Sequence, residues 1–403
     1  MNEDQKKAFE VLMSGKNVFL TGDAGTGKTY LINKFIEEME KQKKNLVITA
    51  PTGIAALNIG GVTIHSAFGI PVGKDLTKVF ISPNDVIQTA DIIIIDEISM
   101  CRMDLFDVIG AIIKAVDKKI QVVVIGDFYQ LPPVLNEKDK KILNEYYKYD
   151  VGGAFAFESE YWKDFDFESI VLKEVVRQDN PRFITALNYL RKGNPISLKY
   201  FVGHCSKEPI KDAITIVGTN KRAEQINELQ LSKIRTLEYT FIAQKYGEIN
   251  VMPTSDILKL KLGARVMTLI NASMYRNGSV GTIVGINDNE IKVKFDDDTY
   301  SYIQKYTWEL KEYVVEDGVI KEKIVGRFNQ LPVKLAYAIT VHKSQGQTYE
   351  AVNFEPCGWS HGQLYVALSR CKDISKLYIA PGLRYSHLIC VLGTKEGEEI
   401  IWY

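Results

Sequence analysis

Val18-Phe19-Leu20-Thr21-Gly22-Asp23-Ala24-Gly25-Thr26-Gly27-Lys28-Thr29 joins a short apolar run to a glycine-rich turn and then to a helical pattern at Tyr30–Gln42. From Gly22 to Thr29 it fits G-x-x-x-x-G-K-[ST] in full, and a strand before it with a helix after it is the context that turns such a motif into a site. Glycine lets backbone N–H groups close around phosphate oxygens, and a helix N-terminus adds favourable dipole charge. Gly22, Ala24, Gly25, Thr26 and Gly27 are therefore expected to cradle a triphosphate. Lys28 is expected to neutralise its β- and γ-phosphates and Thr29 to ligand Mg2+. The bland alternative is a chance glycine turn or a degenerate loop, and it does not account for motif and context together.

A second apolar run, Ile92 to Ile95, ends in Asp96-Glu97. Alone, two acids after a strand are more often a solvated loop. Beside a phosphate loop they take complementary roles: Asp96 on the Mg2+ shell, and Glu97 as the base that orients and deprotonates water. A third run, Val122 to Ile125, leads into Gly126-Asp127-Phe128-Tyr129-Gln130. The Gln130 amide is placed to sense a γ-phosphate. Phe128 and Tyr129 are either a stacking platform or plain core.

Around these motifs the chain is ordinary. It has 403 residues, 46% hydrophobic and 25% charged, so roughly two to three domains with buried cores are expected. Fifty basic and fifty acidic residues cancel. That argues against coating duplex nucleic acid by charge alone, though not against a narrow strand-binding groove. Five scattered cysteines without zinc-ligand spacing read as reduced thiols, and the histidines form no ligand cluster. No apolar run has membrane-spanning length and Met1–Lys7 shows no signal-peptide pattern, so a cytoplasmic or nucleoid-associated protein is expected.

The alternation of buried runs with helical stretches, including Met103–Val116, predicts a parallel sheet covered on both faces. A second α/β pattern starts at Ile170-Val171-Leu172 and continues through Phe183–Arg191, Ile214–Val217 and Arg222–Lys233. From about Phe241 to Leu331 short alternating strands and turns such as Asn277-Gly278 predict a small β-barrel insert. The α/β pattern resumes after Pro332 with Ala336–Thr340, Leu364–Ser369 and Leu377–Ala380.

The order of these motifs resembles superfamily 1B helicases, specifically the petite-integration-frequency (Pif-type) family, related to RecD and Dda. Gln5 resembles its adenine-reading glutamine. Thr49-Ala50-Pro51-Thr52-Gly53-Ile54-Ala55-Ala56 and Thr63-Ile64-His65-Ser66-Ala67-Phe68 resemble its strand-contact motifs. Asp96-Glu97-Ile98-Ser99-Met100 with Met103-Asp104-Leu105-Phe106 looks like its signature stretch. Val176-Arg177-Gln178, Thr340-Val341-His342-Lys343-Ser344-Gln345-Gly346-Gln347-Thr348 and Leu364-Tyr365-Val366-Ala367-Leu368-Ser369-Arg370 resemble its motifs IV, V and VI.

The resemblance implies an α/β fold of two RecA-like parallel-sheet lobes, a small 1B wedge element and an SH3-like β-barrel 2B insert. The first lobe would be 1–170 with the 1B element at about 66–90, including Gly69–Gly73. The second would be 171–240 and 332–403, and the insert 241–331. It further implies ATP hydrolysis with Mg2+ at a cleft between the lobes, with Arg177 and Arg370 as arginine fingers and Gly346 in the nucleotide site. A finger of this kind is worth roughly 10³–10⁵ in rate. Pro51, Thr52, Gly53, His65, Phe68, Thr340, His342 and Lys343 would contact single-stranded DNA. The expected activity is 5′→3′ translocation and unwinding of forked duplex or G-quadruplex DNA by a monomer. An RNA-directed helicase and an ATP-gated clamp that unwinds nothing are the rival readings. A forked-duplex assay separates the second of these, and comparison of DNA with RNA stimulation separates the first.

Overall fold

The computed structural model describes residues 1–174, 178, 180–358 and 360–392. The chain divides into two units: Met1–Val176 with Lys311–Ile324 and Val391–Tyr403, and Arg177–Leu310 with Val325–Cys390.

The first unit is built on a six-stranded sheet. Its strands are β1 (Val18–Gly22), β2 (Leu46–Ala50), β3 (Val62–Thr63), β4 (Ile92–Ile95), β5 (Gln121–Ile125) and β6 (Glu168–Leu172), in the spatial order β3-β2-β4-β5-β1-β6. Every pair is parallel. The helix α1 (Glu3–Met13) precedes the sheet, and the crossovers that parallel strands need are supplied by α2 (Lys28–Lys41), α3 (Gly53–Ile59), α4 (Ile64–Phe68), α5 (Asp85–Thr89), α6 (Met103–Lys114) and α7 (Glu137–Tyr147).

Strand periodicity sorts the side chains onto two cores. Phe19, Val47, Ile93, Ile95, Val122 and Val124 face the core shared with α4, α5 and α6. Val18, Leu20, Ile48, Ile92, Ile94 and Val123 face the core shared with α1 and α2. Burial on both faces explains the unbroken apolar runs of β1, β4 and β5.

One expectation is corrected in this unit, and one open alternative is decided. Ile170–Leu172 does not begin the second unit; as part of β6 it pairs with β1, Val18 opposite Glu168 and Leu20 opposite Ile170. The chain partition accordingly falls at Val176, not at residue 170. Phe128 is fully buried among Phe19, Phe155, Phe157 and Trp162, which makes it core and not a stacking platform.

The second unit has a four-stranded parallel sheet. Its strands are β7 (Ile214–Val217), then beyond an intervening β region β18 (Ala338–Thr340), β19 (Val352–Phe354) and β20 (Leu377–Ile379), in the order β18-β7-β19-β20. Its helices are α8 (Pro181–Arg191), α9 (Ile196–His204), α10 (Asn220–Lys233), α11 (Val341–Ser344) and α12 (Gln363–Leu368). Between β7 and β18 lie β8 (Glu238–Ile242), β9 (Gln244–Gly247), β10 (Ile257–Lys261), β11 (Arg265–Thr268), β12 (Val280–Ile286), β13 (Glu290–Phe295), β14 (Tyr300–Gln304), β15 (Tyr306–Glu316), β16 (Val319–Gln330) and β17 (Val333–Leu335).

The β14-β13-β12-β11-β17 sheet is antiparallel. Its inward residues, among them Val266, Ile283, Ile291, Val293 and Ile303, form one core with Phe241, Leu258 and Leu260. Arg265, buried at the start of β11, is held by Asp296 and by the Asp212 carbonyl. The far end of the β15–β16 hairpin, Lys311–Ile324, belongs to the first unit. There the Tyr313 hydroxyl bonds both the N–H and the carbonyl of Ile48, and Asn45 bonds the backbone at Gly318 and Ile320. These contacts cover the part of β2 that the two-residue β3 leaves without a neighbour.

Candidate functional site

In the first unit the expected nucleotide residues converge on the C-terminal ends of β1, β4 and β5, where open α/β sheets place their ligands. The loop after β1 is shaped by glycine. Gly22 and Gly27 have φ of +148° and +84°; a side chain at Gly22 would run into the Leu172 carbonyl, and one at Gly27 would sit 2.6 Å from Gln5 Nε2. Gly27 enters α2 in the left-handed region with no side-chain cap and no acid in the first turn. By contrast, α1 is closed by an Asn2–Gln5 capping box. A helix start with neither cap nor acid suits an anion. The Lys28 ammonium donates to the carbonyls of Gly22 at 2.8 Å and Asp23 at 3.0 Å, which holds it over the loop. Ala24 and Thr26 are buried in the loop wall, and the Thr26 hydroxyl bonds the Asp23 carbonyl. Thr29 lies exposed in the first turn of α2.

Gln5 reaches the same loop from α1. Its Nε2 donates to the Thr26 carbonyl at 3.2 Å and its Oε1 accepts from the Asn2 N–H. One amide hydrogen and one lone pair remain after those bonds, the complement of an adenine edge.

Asp96 and Glu97 follow β4. The Glu97 N–H donates to Asp96 Oδ1 at 2.9 Å, and Glu97 sits at φ +51°, a left-handed conformation that costs a non-glycine residue about 1–2 kcal/mol. Strain of that kind collects at functional turns. Burial, and then the Glu97 charge, push the Asp96 carboxyl up to about 7, with Lys28 opposing them. The carboxylate of Asp96 and the hydroxyl of Thr29 are hard oxygen donors, and among the described residues Asp96 makes no ion pair; both facts fit Mg2+. Beyond β5, buried Gln130 donates to Asp127 Oδ2 at 3.3 Å. Gly126 lets this loop approach the turn after Asp96, since a side chain there would stand 2.9 Å from Ile98 Cγ2.

The strand-contact residues of the first unit divide. Pro51, Thr52 and Gly53 lie half-exposed at the end of β2, where the Thr52 hydroxyl caps α3 by accepting from Ala55 N–H. His65 is half-buried, and burial followed by the charge of Arg102 pushes its imidazole below the ordinary value, so it is neutral at neutral pH. Phe68 is a correction. It is 0% exposed and packs in the main core, because the short α4 turns Ile64, Ala67 and Phe68 inward together.

In the second unit, His342 and Lys343 are exposed on α11. Thr340 is also a correction: it is buried, and its hydroxyl accepts from the Lys343 N–H, so it caps the motif rather than presenting itself outward. Gly346 is exposed at φ +76°. Arg370 is 1% exposed, and its guanidinium donates to the carbonyls of Val366, Ser344 and Gln347 and to Ser369 Oγ. Motifs V and VI are thus tied together through it. Arg177 lies outside the described residues.

Sequence reasoning passed over two residues. Gln178, 3% exposed, donates from Nε2 to the carbonyls of Ser369 and Cys371, on either side of Arg370. Its place beside Arg177 was the available signal. Arg102 chelates Asp104 through Nε and Nη2 and reaches Asp139 through Nη1, which fixes the start of α6 just after the Asp96-Glu97 turn. Among the described residues no helix is long and apolar enough to cross a membrane.

The sequence model of the family described as PIF1-like helicase matches residues 1–194. The chain is 33% identical to the ATP-dependent DNA helicase Pif1 of Campylobacter jejuni, with 92% of this chain and 90% of that one covered. Among solved structures, Pif1 from a Bacteroides species in complex with ADP-AlF4 matches at 32% identity and a TM-score of 0.84, over 97% of this chain and 94% of that one. Bacteroides Pif1 bound to single-stranded DNA matches at the same 32% identity and a TM-score of 0.68, over 97% and 94%.

Proposed function

The chain belongs to the PIF1-like helicase family, and we infer that it is an ATP-dependent DNA helicase that unwinds duplex DNA at the expense of ATP. The observation that carries this is the convergence of Lys28, Asp96 and Gln130 at three adjoining strand ends above an uncapped helix start.

The residues divide the work by chemistry. Backbone N–H groups of Ala24 to Thr29 and the Lys28 ammonium bind and orient the phosphates. Gln5 offers its remaining donor and acceptor to adenine. Thr29 and Asp96 would hold Mg2+, which when bound neutralises charge on the phosphate oxygens. Glu97 takes the proton of the attacking water, and Gln130 orients that water or the terminal phosphate. Arg177 and Arg370 are the candidates for stabilising the charge that develops on the transferred group. Within the second unit Arg370 is held by the carbonyls of motifs V and VI.

Single-stranded DNA is assigned to Pro51, Thr52, Gly53, His65, His342 and Lys343, and movement along it to the 5′→3′ direction that the family resemblance implies. The β region from β8 to β17 is read as the SH3-like 2B insert. Residues 66–90 are read as the 1B wedge. Support for the wedge comes from Val72 and Phe80, which are 78% and 96% exposed while Ile70, Leu76 and Ile87 anchor the same segment in the core. Forked duplexes carrying either a 5′ or a 3′ single-stranded tail test the reading. ATP-dependent unwinding of the 5′-tailed fork alone is expected. Opening only the 3′-tailed fork would reverse the direction, and opening neither would leave an ATP-gated clamp.

A further inference from the structure

Along β13 and β14 the side chains alternate between two faces. Ile291, Val293 and Ile303 enter the core of the β region. Lys292 and Lys294 of β13 and Tyr300 and Tyr302 of β14 lie on the other face, with Lys292 opposite Tyr302 and Lys294 opposite Tyr300. The ammonium of Lys292 stands 5.2 Å from the ring centre of Tyr302 and 5.7 Å from that of Tyr300; that of Lys294 is 5.9 Å from Tyr300. Cross-strand pairs of this kind steady a hairpin. They do not cover the rings: Tyr300 is 50% and Tyr302 61% exposed, on a strand that borders its sheet. On the far side of Lys292 the register shift after Ile283 sets Gly285 opposite, so no side chain covers the lysine there either. Lys294 is paired with Asp298 at 2.8 Å, and Glu290 accepts from Gln304 at 3.0 Å. Among the described residues Lys292 pairs with no carboxylate.

We propose that Lys292, Tyr300 and Tyr302 form a face of the β region that binds single-stranded DNA, in addition to the residues assigned to the strand above. The proposal rests on the helicase reading and adds to it a second place of contact. The two rings take bases and the Lys292 ammonium takes a backbone phosphate. Exposed aromatic side chains on an antiparallel sheet are a recurring platform for unpaired bases, and stacking tolerates any sequence because every base has a π-face. Residues two apart on a strand are separated by about 6.7 Å. That is about twice the 3.4 Å step along one strand of a duplex, so bases held on these rings belong to a strand drawn out of its helical stack. The lysine without a counter-charge suits a phosphodiester and not a neutral apolar partner. A protein strand added at the β14 edge would use the backbone of β14 and leave these side chains unused.

The test joins two measurements on the full chain. The first is photo-crosslinking to a strand carrying 5-iododeoxyuridine, with the linked peptides mapped by mass spectrometry; a crosslink on the peptide that holds Tyr300 and Tyr302 is expected. The second is binding of a fluorescent oligothymidylate across a salt series. Tyr302→Ala is expected to weaken binding about tenfold, the loss of one stacked base, while Tyr302→Phe keeps the ring and the affinity. Lys292→Met is expected to flatten the plot of log K against log salt by about 0.7, the share of one phosphate contact on a single strand. Crosslinks confined to other segments, with parental binding by Tyr302→Ala, overturn the proposal and leave the pairs as hairpin stabilisers. Equal weakening by Tyr302→Ala and Tyr302→Phe overturns it too, because the ring face would then not be what binds. The crosslink in the parent needs no variant, so a variant that folds poorly leaves the test intact. A parent chain that neither binds nor crosslinks the strand anywhere overturns the helicase reading beneath it.

Discussion

The side-chain amide of Gln178 donates to the carbonyl of Ser369 at 3.1 Å and to that of Cys371 at 3.2 Å, so a buried glutamine grips the chain immediately before and after Arg370. Removing the amide strands two buried acceptors. A buried polar group left unsatisfied costs about 1–3 kcal/mol. Gln178→Met keeps the volume and is expected to lower the stability of the chain by that order in a denaturant titration. It is also expected to lower kcat for DNA-stimulated ATP hydrolysis more than it raises KM, because Arg370 would lose its fixed position. A variant of parental stability and parental kcat would show that Arg370 is held well enough without Gln178.

Asp96 sets a pH dependence whose sign is fixed by its surroundings. Its carboxyl is pushed up to about 7, by burial first and by Glu97 second. Between the ordinary carboxylate value and about pH 7 the folded chain holds a proton that the unfolded chain releases. Stability from this group is therefore fullest below about pH 4 and is lost as pH rises toward 7. Asp96→Asn removes the dependence, so the variant is expected to gain on the parent in denaturant midpoint as pH rises from about 5 to about 8. The same ionisation frees the carboxylate for a cation, so Mg2+-dependent nucleotide affinity of the parent is expected to rise over that interval. A parent and variant whose midpoints run parallel with pH would place the titration elsewhere.

Lys28 and Glu97 share one site but fail in different ways. Lys28→Ala removes the positive charge held over the phosphate loop and is expected to abolish both ATP binding and hydrolysis. Glu97→Gln keeps size and hydrogen bonding but cannot take a proton. It is expected to bind ATP and DNA like the parent and to turn over more slowly by roughly 10²–10⁴. Filter binding and steady-state ATPase rates separate the two. Parental turnover by Glu97→Gln would assign the base elsewhere.

What the sequence made legible follows from which interactions are local. β1, β4 and β5 are apolar on both faces, and the phosphate loop and acidic turn directly follow two of them, so Lys28 and Asp96 fall where periodicity and motif place them. β6 was assigned to the wrong sheet because its own residues form a strand without saying which strand they join; that is decided by pairing with β1, about 150 positions away. Phe68 and Thr340 lie inside strand-contact motifs, but spacing does not say which way a side chain on a five-residue helix points, or that the last residue of β18 turns its hydroxyl inward to cap α11. The Tyr313–Ile48 contact, which brings the hairpin end to the first unit, spans 265 positions and leaves no local trace.

Phe80 carries the prediction on which the wedge reading stands. It is 96% exposed, although an aromatic side chain gains about 1.5–3 kcal/mol from full burial. The segment around it has no shortage of core to enter: Leu76 and Val86 are buried, and Val79 and Ile81 pack against the same core on either side of Phe80. The backbone alternates there, and Phe80 is the position that faces out. An outward aromatic flanked by anchored neighbours can insert against an unpairing base, where stacking on a ring is worth about 1–3 kcal/mol per base. Phe80→Ala is expected to leave the melting temperature and the single-strand-stimulated ATPase rate near parental values while lowering the rate of fork unwinding several-fold. More ATP would then be consumed per base pair opened. Equal loss of ATPase and unwinding would assign Phe80 to strand binding, and no loss of either would make it a solvated surface residue.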